Sequence, residues 1–357
     1  MDGLMRRVFT AIACGTVVLV AWDLFPLHAQ TSVTTDGLTS IAGVLVGHHT
    51  LEGRPTGCTV VLTTAGAVAT VDVRGAAPGT RETALLNPVN TVQKVHALVF
   101  SGGSAFGLAA ADGVMRYLGE RQIGYQTRHA NIPIVPAAIL YDLAVGDPTI
   151  HPTWECGYKA AEVANHGPIP EGSIGAGAGA TVGKLRGHER AMRGGIGTSM
   201  LELPNGIRVA ALMAVNSIGN VVDPDTGQPV AGVRTEDGSS IADSSYILTA
   251  KALNTPTAEN TTIGVVATNA DLTKAELAIV ARMAHDGLAR AVRPAHTPSD
   301  GDTIFAIATG EIKSEISLLR IGALAADTTA RAIIRGVLAA TSLPGYPSAR
   351  DLHGGVR

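Results

Sequence analysis

The stretch NTTIGVVAT, residues 260–268, decides the fold. Its run of β-branched and apolar residues is typical of a strand that is buried on both faces. Before it lies a polar segment, residues 222–260, with little sustained periodicity. That segment predicts a long exposed connection with a short helix near residues 246–253. Thr261 therefore stands where an exposed connection enters a buried strand.

Thr261 would acquire special chemistry if the chain were cut directly before it. Its hydroxyl would be a nucleophile, and its freed α-amine, with an unperturbed pKa of about 7.7 to 8.0, would be a general base. One residue would then carry both parts of an acyl-transfer reaction. The alternative is that Thr261 is only a β-branched residue that opens a strand, and the local pattern leaves both interpretations open.

Strands and helices alternate loosely on both sides of this stretch. Thr273 and Glu276 predict a capping box at the start of an amphipathic helix. The other predicted strands are 44–46, 59–63, 95–100, 209–216 and 304–309, and the other predicted helices are 108–118, 155–165 and 327–341. Layered α and β structure follows from this order.

Composition excludes several classes of protein. The 357 residues carry a net charge of −3, and 16% of them are charged, against about 25% in an average soluble protein. A near-neutral chain lacks the basic surface of a nucleic-acid-binding protein. The 42 glycines follow no three-residue period and indicate many tight turns. We therefore expect a globular protein with no nucleic-acid partner.

Residues 1–29 predict an export signal. Two arginines precede the apolar residues 8–22, which are too few for the roughly 20 residues of a membrane-spanning helix. Residues 27–29 offer a passable cleavage site, so the mature chain would begin at Gln30. We expect a periplasmic or secreted protein with no membrane contact once the signal is removed. An uncleaved membrane anchor is the alternative.

Cysteine and histidine give little support for metal chemistry. Cys58 and Cys156 could pair in an oxidising compartment but need not. The histidines show no metal-binding spacing. The GAGAGA run at 175–180 only loosely fits a dinucleotide fingerprint, and neither the Gly183-Lys184 pair nor residues 102–106 completes a catalytic motif. No metal or cofactor is predicted, and these glycines are interpreted as turns.

Four segments together make the chain resemble the DmpA-type aminopeptidases, a family of N-terminal-nucleophile hydrolases, and within it the NylC-type nylon oligomer hydrolases. These segments are SGGSAFGL at 101–108, IGAGAGATVGK at 174–184, AVNSIG at 214–219 and NTTIGVVAT at 260–268. The resemblance implies an α/β (α+β) fold, a four-layer αββα sandwich. It also implies self-cleavage between Asn260 and Thr261 into a large chain, residues 30–260, and a small chain, residues 261–357, that remain one folded unit. Assembly into tetramers of such units is a further implication.

The resemblance also assigns roles to single residues. Thr261 matches the nucleophile, and its Asn-Thr junction is the nylon-hydrolase version of a site that has Gly-Ser in most DmpA-type peptidases. Asn216 matches an asparagine similar to an oxyanion-hole donor. Asp300 and Asp302 match an acidic pair expected to hold and polarise the Thr261 amine. The structural alternative for Asn216 is a residue that forms a turn at the end of a strand. For Asp300 and Asp302 the alternative is an ordinary Ser-Asp-Gly-Asp turn.

Two further residues match the pocket of the nylon oligomer hydrolases. Lys184 matches an active-site lysine, whose charge would lower the proton affinity of the amine or support the oxyanion. Tyr141 matches a substrate-binding tyrosine, whose phenol could bind substrate or Thr261. A surface lysine and a core tyrosine are the alternatives.

The resemblance implies an exported amide hydrolase that cleaves oligomers of ω-amino acids, such as 6-aminohexanoate oligomers. An aminopeptidase acting on β- or D-amino acid peptides is the nearest rival. An acetyltransferase of the ornithine acetyltransferase type and a ligand-binding protein that never matures are further alternatives.

Overall fold

The computed structural model describes residues 37–249, 259–313 and 317–352. The predicted export signal and part of the predicted connection before Thr261 lie outside the described residues. The strands are β1 (Leu45–Thr50), β2 (Gly57–Val73), β3 (Thr80–Arg81), β4 (Lys94–Ser101), β5 (Tyr125–Gln126), β6 (Asn131–Ile132), β7 (Ala137–Ile139), β8 (Thr181–Val182), β9 (Met192–Arg193), β10 (Gly195–Glu202), β11 (Arg208–Asn216), β12 (Asn220–Val222), β13 (Pro229–Ala231), β14 (Thr261–Ala270), β15 (Val292–Arg293) and β16 (Thr303–Ile312). The helices are α1 (Ala110–Glu120), α2 (Trp154–Glu162), α3 (Ser244–Thr249), α4 (Lys274–Ala291), α5 (Leu318–Ala339) and α6 (Ala349–Leu352).

The main sheet folds over along the long strand β2. Its strand order is β10-β11-β14-β16-β2-β4-β7-β3, and β1 also pairs with β2. The first half of β2 pairs with β1, and its second half pairs with β16. Its pairing with β4 shifts register between Leu62 and Ala67, beside Gly66 at φ +80°. The bend there lets one strand belong to two facing layers.

Strand β14 is buried over its whole length, as its sequence predicts. Ile263, Val265 and Ala267 face the core between the two sheet layers. Val266 points the opposite way, into the core beneath α4 and α5. Both faces of the strand are covered, which is why its sequence is a continuous apolar run rather than an alternation.

Helices cover both outer faces of the folded sheet. One core packs α4 and α5 on the layer that contains β11, β14 and β16, and another packs α1 and α2 on the layer that contains β1 and β4. With the core between the sheets, three hydrophobic cores separate four layers. The predicted αββα sandwich is confirmed. Among the described residues, no helix has the length and apolarity to cross a membrane.

Several local predictions are confirmed, and two are corrected. The capping box of Thr273 and Glu276 is present at the start of α4. The short strands predicted between residues 41 and 73 are wrong in extent, because β2 continues through its bend for 17 residues. The helix predicted from residue 327 begins at Leu318. Its first turns include Gly322, which weakens the helical pattern but lies where an added Cβ would meet Met283 of α4.

The connection before Thr261 is less irregular than predicted. The short strands β12 and β13 pair with each other, and β12 also pairs with β15. The short helix expected near residues 246–253 is α3, which begins two residues earlier. Cys58 of β2 and Cys156 of α2 form a disulfide, which decides the open question of their pairing.

Candidate active site

The predicted site residues meet where β14 begins. Thr261 lies opposite Asn216, the last residue of β11, in the antiparallel register. On the other side, Asn260 forms an isolated parallel bridge with Asp300. All four residues are at most 3% exposed. The peptide bond between Asn260 and Thr261 is therefore buried among polar side chains.

The carbonyl group of Asn260 has two close polar neighbours. The Gly301 N–H donates to its oxygen at 2.9 Å. The Thr261 hydroxyl donates to the same oxygen over a short distance. The hydroxyl thus contacts the carbonyl group that it would attack, and Gly301 could stabilise negative charge on the oxygen. A Cβ at Gly301 would lie 2.6 Å from the Ala77 carbonyl oxygen and 2.9 Å from Thr261 Oγ1, so only glycine fits without displacement.

The side-chain amide of Asn216 has one possible orientation. Its Oδ1 accepts from Lys184 Nζ and from the Thr181 N–H, both at 3.0 Å. Its Nδ2 donates to the carbonyl oxygens of Tyr141 at 2.8 Å and Glu259 at 3.4 Å. Donors on one atom and acceptors on the other fix the amide. Asn216 therefore presents N–H groups to the chain that precedes Thr261.

Lys184 is completely buried, so the surface-lysine alternative is wrong. Its Nζ also donates to the carbonyl oxygens of Asn216 at 3.0 Å and Glu259 at 3.4 Å. Burial lowers the pKa of Lys184 to about 7, against an opposing effect of the negative charges of Asp300, Glu259 and Asp142. A lysine with such a pKa can gain or lose its proton near neutral pH.

The two predicted carboxylates occupy different surroundings. Asp302 Oδ1 accepts the N–H of Thr262 at 2.7 Å. Asp300 Oδ2 accepts the N–H and hydroxyl of Thr297 at 2.9 and 2.5 Å. Burial, and then the charge of Asp302, raises the pKa of Asp300. The Ser-Asp-Gly-Asp turn is thus part of the site and not only a surface turn.

Tyr141 reaches the site through its backbone. Its carbonyl oxygen accepts from Asn216, whereas the phenol is half-buried and shows no bond to Thr261 among the described residues. The next residue, Asp142, forms a fully buried ion pair with Arg54 at 2.8 Å and accepts the Gly103 N–H at 2.8 Å. The Gly103 bond ties the loop of Tyr141 to the glycine turn after β4, and the ion pair ties it to Arg54.

Sequence reasoning missed three groups at this site. Gly301 lies between the two predicted aspartates. Apart from this position, nothing in the sequence indicates that its N–H bonds to the carbonyl oxygen of Asn260. Glu259 Oε2 lies 2.9 Å from His188 Nε2, just before the predicted cut. His296 contacts Asp302, and its position six residues earlier in the chain gives no recognisable spacing.

The αββα sandwich, with a threonine at the start of a central strand, agrees with the fold that the resemblance to N-terminal-nucleophile hydrolases implies. Residues 36–350 match Peptidase family S58, and the chain belongs to that family. It is a hydrolase that acts on amide bonds.

Two groups of relatives illustrate the range of the family. An uncharacterized aminopeptidase of Mycobacterium tuberculosis is 43% identical over 347 residues, 90% of this chain and 98% of that protein. The 6-aminohexanoate-oligomer endohydrolase of Paenarthrobacter ureafaciens is 33% identical over 277 residues, 76% of this chain and 74% of that protein. That of a Kocuria species is 32% identical over 298 residues, 82% and 79% of the two chains.

Solved structures share the fold. The L-aminopeptidase D-Ala-esterase/amidase of Ochrobactrum anthropi, described as a variant of the Ntn hydrolase fold, gives a TM-score of 0.67 at 20% identity over 90% of this chain and 92% of that chain. A β-aminopeptidase of a Burkholderia species gives 0.66 at 20% identity over the same shares. At this identity the similarity supports the fold alone.

Gly301→Ala is expected to slow the predicted self-cleavage at least about tenfold, because the new methyl group would displace the N–H that faces the Asn260 carbonyl. The rate is measured as loss of the uncut chain by mass spectrometry after synthesis. Gly119→Ala is the matched control, since a Cβ there meets no atom within 4 Å. Equal cleavage rates in both variants would exclude a role for the Gly301 N–H.

Lys184→Met is expected to change how stability depends on pH. Between pH 7 and about 10.4 the unfolded lysine keeps a proton that the folded one has lost, so the free energy of unfolding should rise with pH, by up to about 1.4 kcal/mol per unit. The methionine variant should lack this rise. Urea unfolding at pH 7, 8 and 9, with both chains also carrying Thr261→Ala to prevent cutting, tests this. Parallel curves would refute the lowered pKa.

Proposed function

We propose that this chain is a self-processing amide hydrolase whose nucleophile is Thr261 as a new amino terminus. The observation that carries the proposal is the buried Asn260-Thr261 junction, with the Thr261 hydroxyl and the Gly301 N–H both on the carbonyl oxygen of Asn260. A hydroxyl held beside a polarised carbonyl group, with a donor ready for the oxyanion, favours intramolecular attack.

Self-cleavage would proceed through an ester. Thr261 Oγ bonds to the Asn260 carbonyl carbon, the carbon–nitrogen bond breaks, and the nitrogen takes up the hydroxyl proton to become the α-amine of Thr261. Water then hydrolyses the ester, which leaves a carboxylate on Asn260 and restores the hydroxyl. With the export signal removed at residue 29, the products would be residues 30–260 and residues 261–357.

Catalysis on a substrate amide would use the same groups again. Thr261 Oγ attacks the substrate carbonyl while the α-amine accepts its proton, and the leaving amine departs protonated. Asn216 Nδ2 and Lys184 Nζ both donate to the carbonyl of Glu259 in the uncut chain. Once that segment has left, these donors are free for a substrate oxygen. Asp300 and Asp302 would hold the α-ammonium.

For the substrate, we propose oligomers of ω-amino acids such as 6-aminohexanoate oligomers. Support comes from the Asn-Thr junction and from relatives named 6-aminohexanoate-oligomer endohydrolase. An aminopeptidase would need a carboxylate for the substrate amine, and the carboxylate next to Tyr141 in the chain, that of Asp142, is already occupied. Asp142 accepts hydrogen bonds from Arg54, Thr56 and Gly103 and is not free for that task.

Aminopeptidase activity on β- or D-amino acid peptides remains the second candidate, because relatives that are 43% identical are named aminopeptidases. Acetyl transfer would be detected as acetyl movement from acetylornithine to an amine. Export through residues 1–29, a periplasmic or secreted location and assembly into tetramers belong to the proposal as predictions.

Purified wild type is expected to contain two polypeptides, and Thr261→Ala one uncut chain, because alanine lacks the attacking oxygen. Denaturing mass spectrometry measures both, and sequencing of the smaller polypeptide should begin Thr-Thr-Ile-Gly. An uncut wild type that hydrolyses amides would contradict the mechanism. An uncut and inactive wild type would favour a binding protein.

A 6-aminohexanoate trimer blocked at both ends should be hydrolysed by wild type as readily as the unblocked trimer, since an endohydrolase needs no free amine. Product formation is measured by chromatography, with Thr261→Ala as the inactive control. Cleavage of the unblocked trimer alone would replace the proposal with the aminopeptidase candidate.

A further inference from the structure

His296 lies behind the nucleophile in contact with one carboxylate of the pair. Its backbone N–H donates to Asp302 Oδ2 at 3.0 Å, and its ring Nδ1 lies 2.8 Å from the same oxygen. The other oxygen of Asp302 accepts the N–H of Thr262 at 2.7 Å. The Asp302 side chain is only 2% exposed. Asp302 therefore links His296 directly to the peptide that follows Thr261.

The contacts of the His296 ring define its tautomer. A carboxylate only accepts hydrogen bonds, so Nδ1 carries a hydrogen. Nε2 is buried and has no hydrogen-bond partner among the described residues. The ring meets that of His285 on α4 edge to face, with centroids 4.9 Å apart, and His285 Nε2 lies 3.0 Å from the backbone oxygen of Asp72. His296 is thus held between α4 and Asp302.

The backbone at His296 also serves this contact. Its φ of +55° lies in the left-handed region, which Asn, Asp and His adopt more readily than other residues with side chains. This turn brings the backbone N–H and the ring to one oxygen of Asp302. Both donors come from one residue, so the contact with Asp302 depends on the histidine ring and on the left-handed backbone together.

The two carboxylates differ in what surrounds them. From the residues that the structure describes, Asp302 receives three hydrogen bonds that are shared between its two oxygens. Asp300 receives two from the same part of the chain, both from Thr297 to one oxygen. Donors favour the charged form of a carboxylate, and a charged neighbour disfavours it. In accordance with this, burial and the charge of Asp302 raise the pKa of Asp300. Such a difference separates a fixed charge from a proton carrier.

We propose that His296 is a positioning residue that fixes Asp302 as the charged member of the pair, aligned on the Thr262 peptide, and thereby leaves Asp300 to exchange protons with the freed Thr261 amine. The role of the amine rests on the proposed function. Among the described residues, the titratable groups in contact with His296 are Asp302 from its own loop and His285 from α4, and the backbone oxygen of Asp72 of β2 lies against His285.

The test compares His296→Ala with His296→Asn in the mature enzyme. Asn tolerates the left-handed backbone and offers an N–H where the ring has Nδ1, so it should keep kcat within about threefold. Loss of a charge-assisted bond in the alanine variant should lower kcat by about tenfold to hundredfold with KM unchanged. The acid limb of kcat/KM should move to higher pH, because the carboxyl pair then lacks a hydrogen-bond donor that favours its charged form.

His129→Ala is the matched control. It removes an exposed imidazole on the turn between β5 and β6, so kcat and the acid limb should not change. Thermal unfolding verifies that each variant is folded. If the alanine variant does not fold, His296→Asp replaces it, because Asp has the size and backbone preference of Asn but offers only an acceptor.

A second measurement does not depend on amide turnover. Carboxyl resonances of ¹³C-labelled aspartate are followed against pH, with Asp302→Asn to assign the signal. In wild type and His296→Asn, Asp302 should stay charged to lower pH than in His296→Ala. Identical titrations and an unshifted acid limb in a folded His296→Ala chain would overturn the role of His296. Absence of turnover by wild type would refute the proposed function, while the titration would still decide this inference.

Discussion

A chain end inside a protein must be electrically compensated, and this requirement governs the surroundings of Thr261. The junction before it is buried, and cutting there would create an ammonium on Thr261 and a carboxylate on Asn260. Burying an isolated charge is prohibitively costly, so partners must already be in place. Asp300 and Asp302 offer negative charge to the first. Lys184, whose Nζ donates to the carbonyl oxygen of Glu259, lies one residue from the second until that segment leaves. The buried polar residues at the start of β14 can therefore be explained as partners for the two charges that a cut would create.

Much of this preparation is carried out by the backbone. The Gly301 N–H, the Tyr141 carbonyl and the Thr262 N–H each contact a site group directly. The loop of Tyr141 is held by the Arg54–Asp142 pair, whose acid also lies where Cβ atoms on Gly102 and Gly179 would clash. Losing one partner of such a pair typically costs about 3–5 kcal/mol. Close packing against Asp142 thus explains glycine at these two turns, and no nucleotide-binding role is needed to explain it.

The sequence predicts the layers better than the contacts within the site. Two predictions depend only on residues that are close together in the chain, and both are confirmed. They are the buried strand at 260–268 and the capping box of Thr273. The sequence predicts only residues 59–63 of strand β2, because Gly66 interrupts the pattern without ending the pairing. Only the family resemblance predicts that five residues share one site: Thr261, Asn216, Lys184, Asp300 and Asp302. His296 and Glu259 could not be found in this way, because their partners are distant in the chain and contact depends on the folded backbone.

The order β11-β14-β16-β2 has a consequence for the enzyme after its proposed cut. β14 and β16 would belong to the small polypeptide, while β11 and β2, on either side of them, would belong to the large one. Neither piece could leave without breaking the sheet in its middle. Dilution should therefore not separate the two polypeptides, and they would dissociate only when the whole sandwich unfolds.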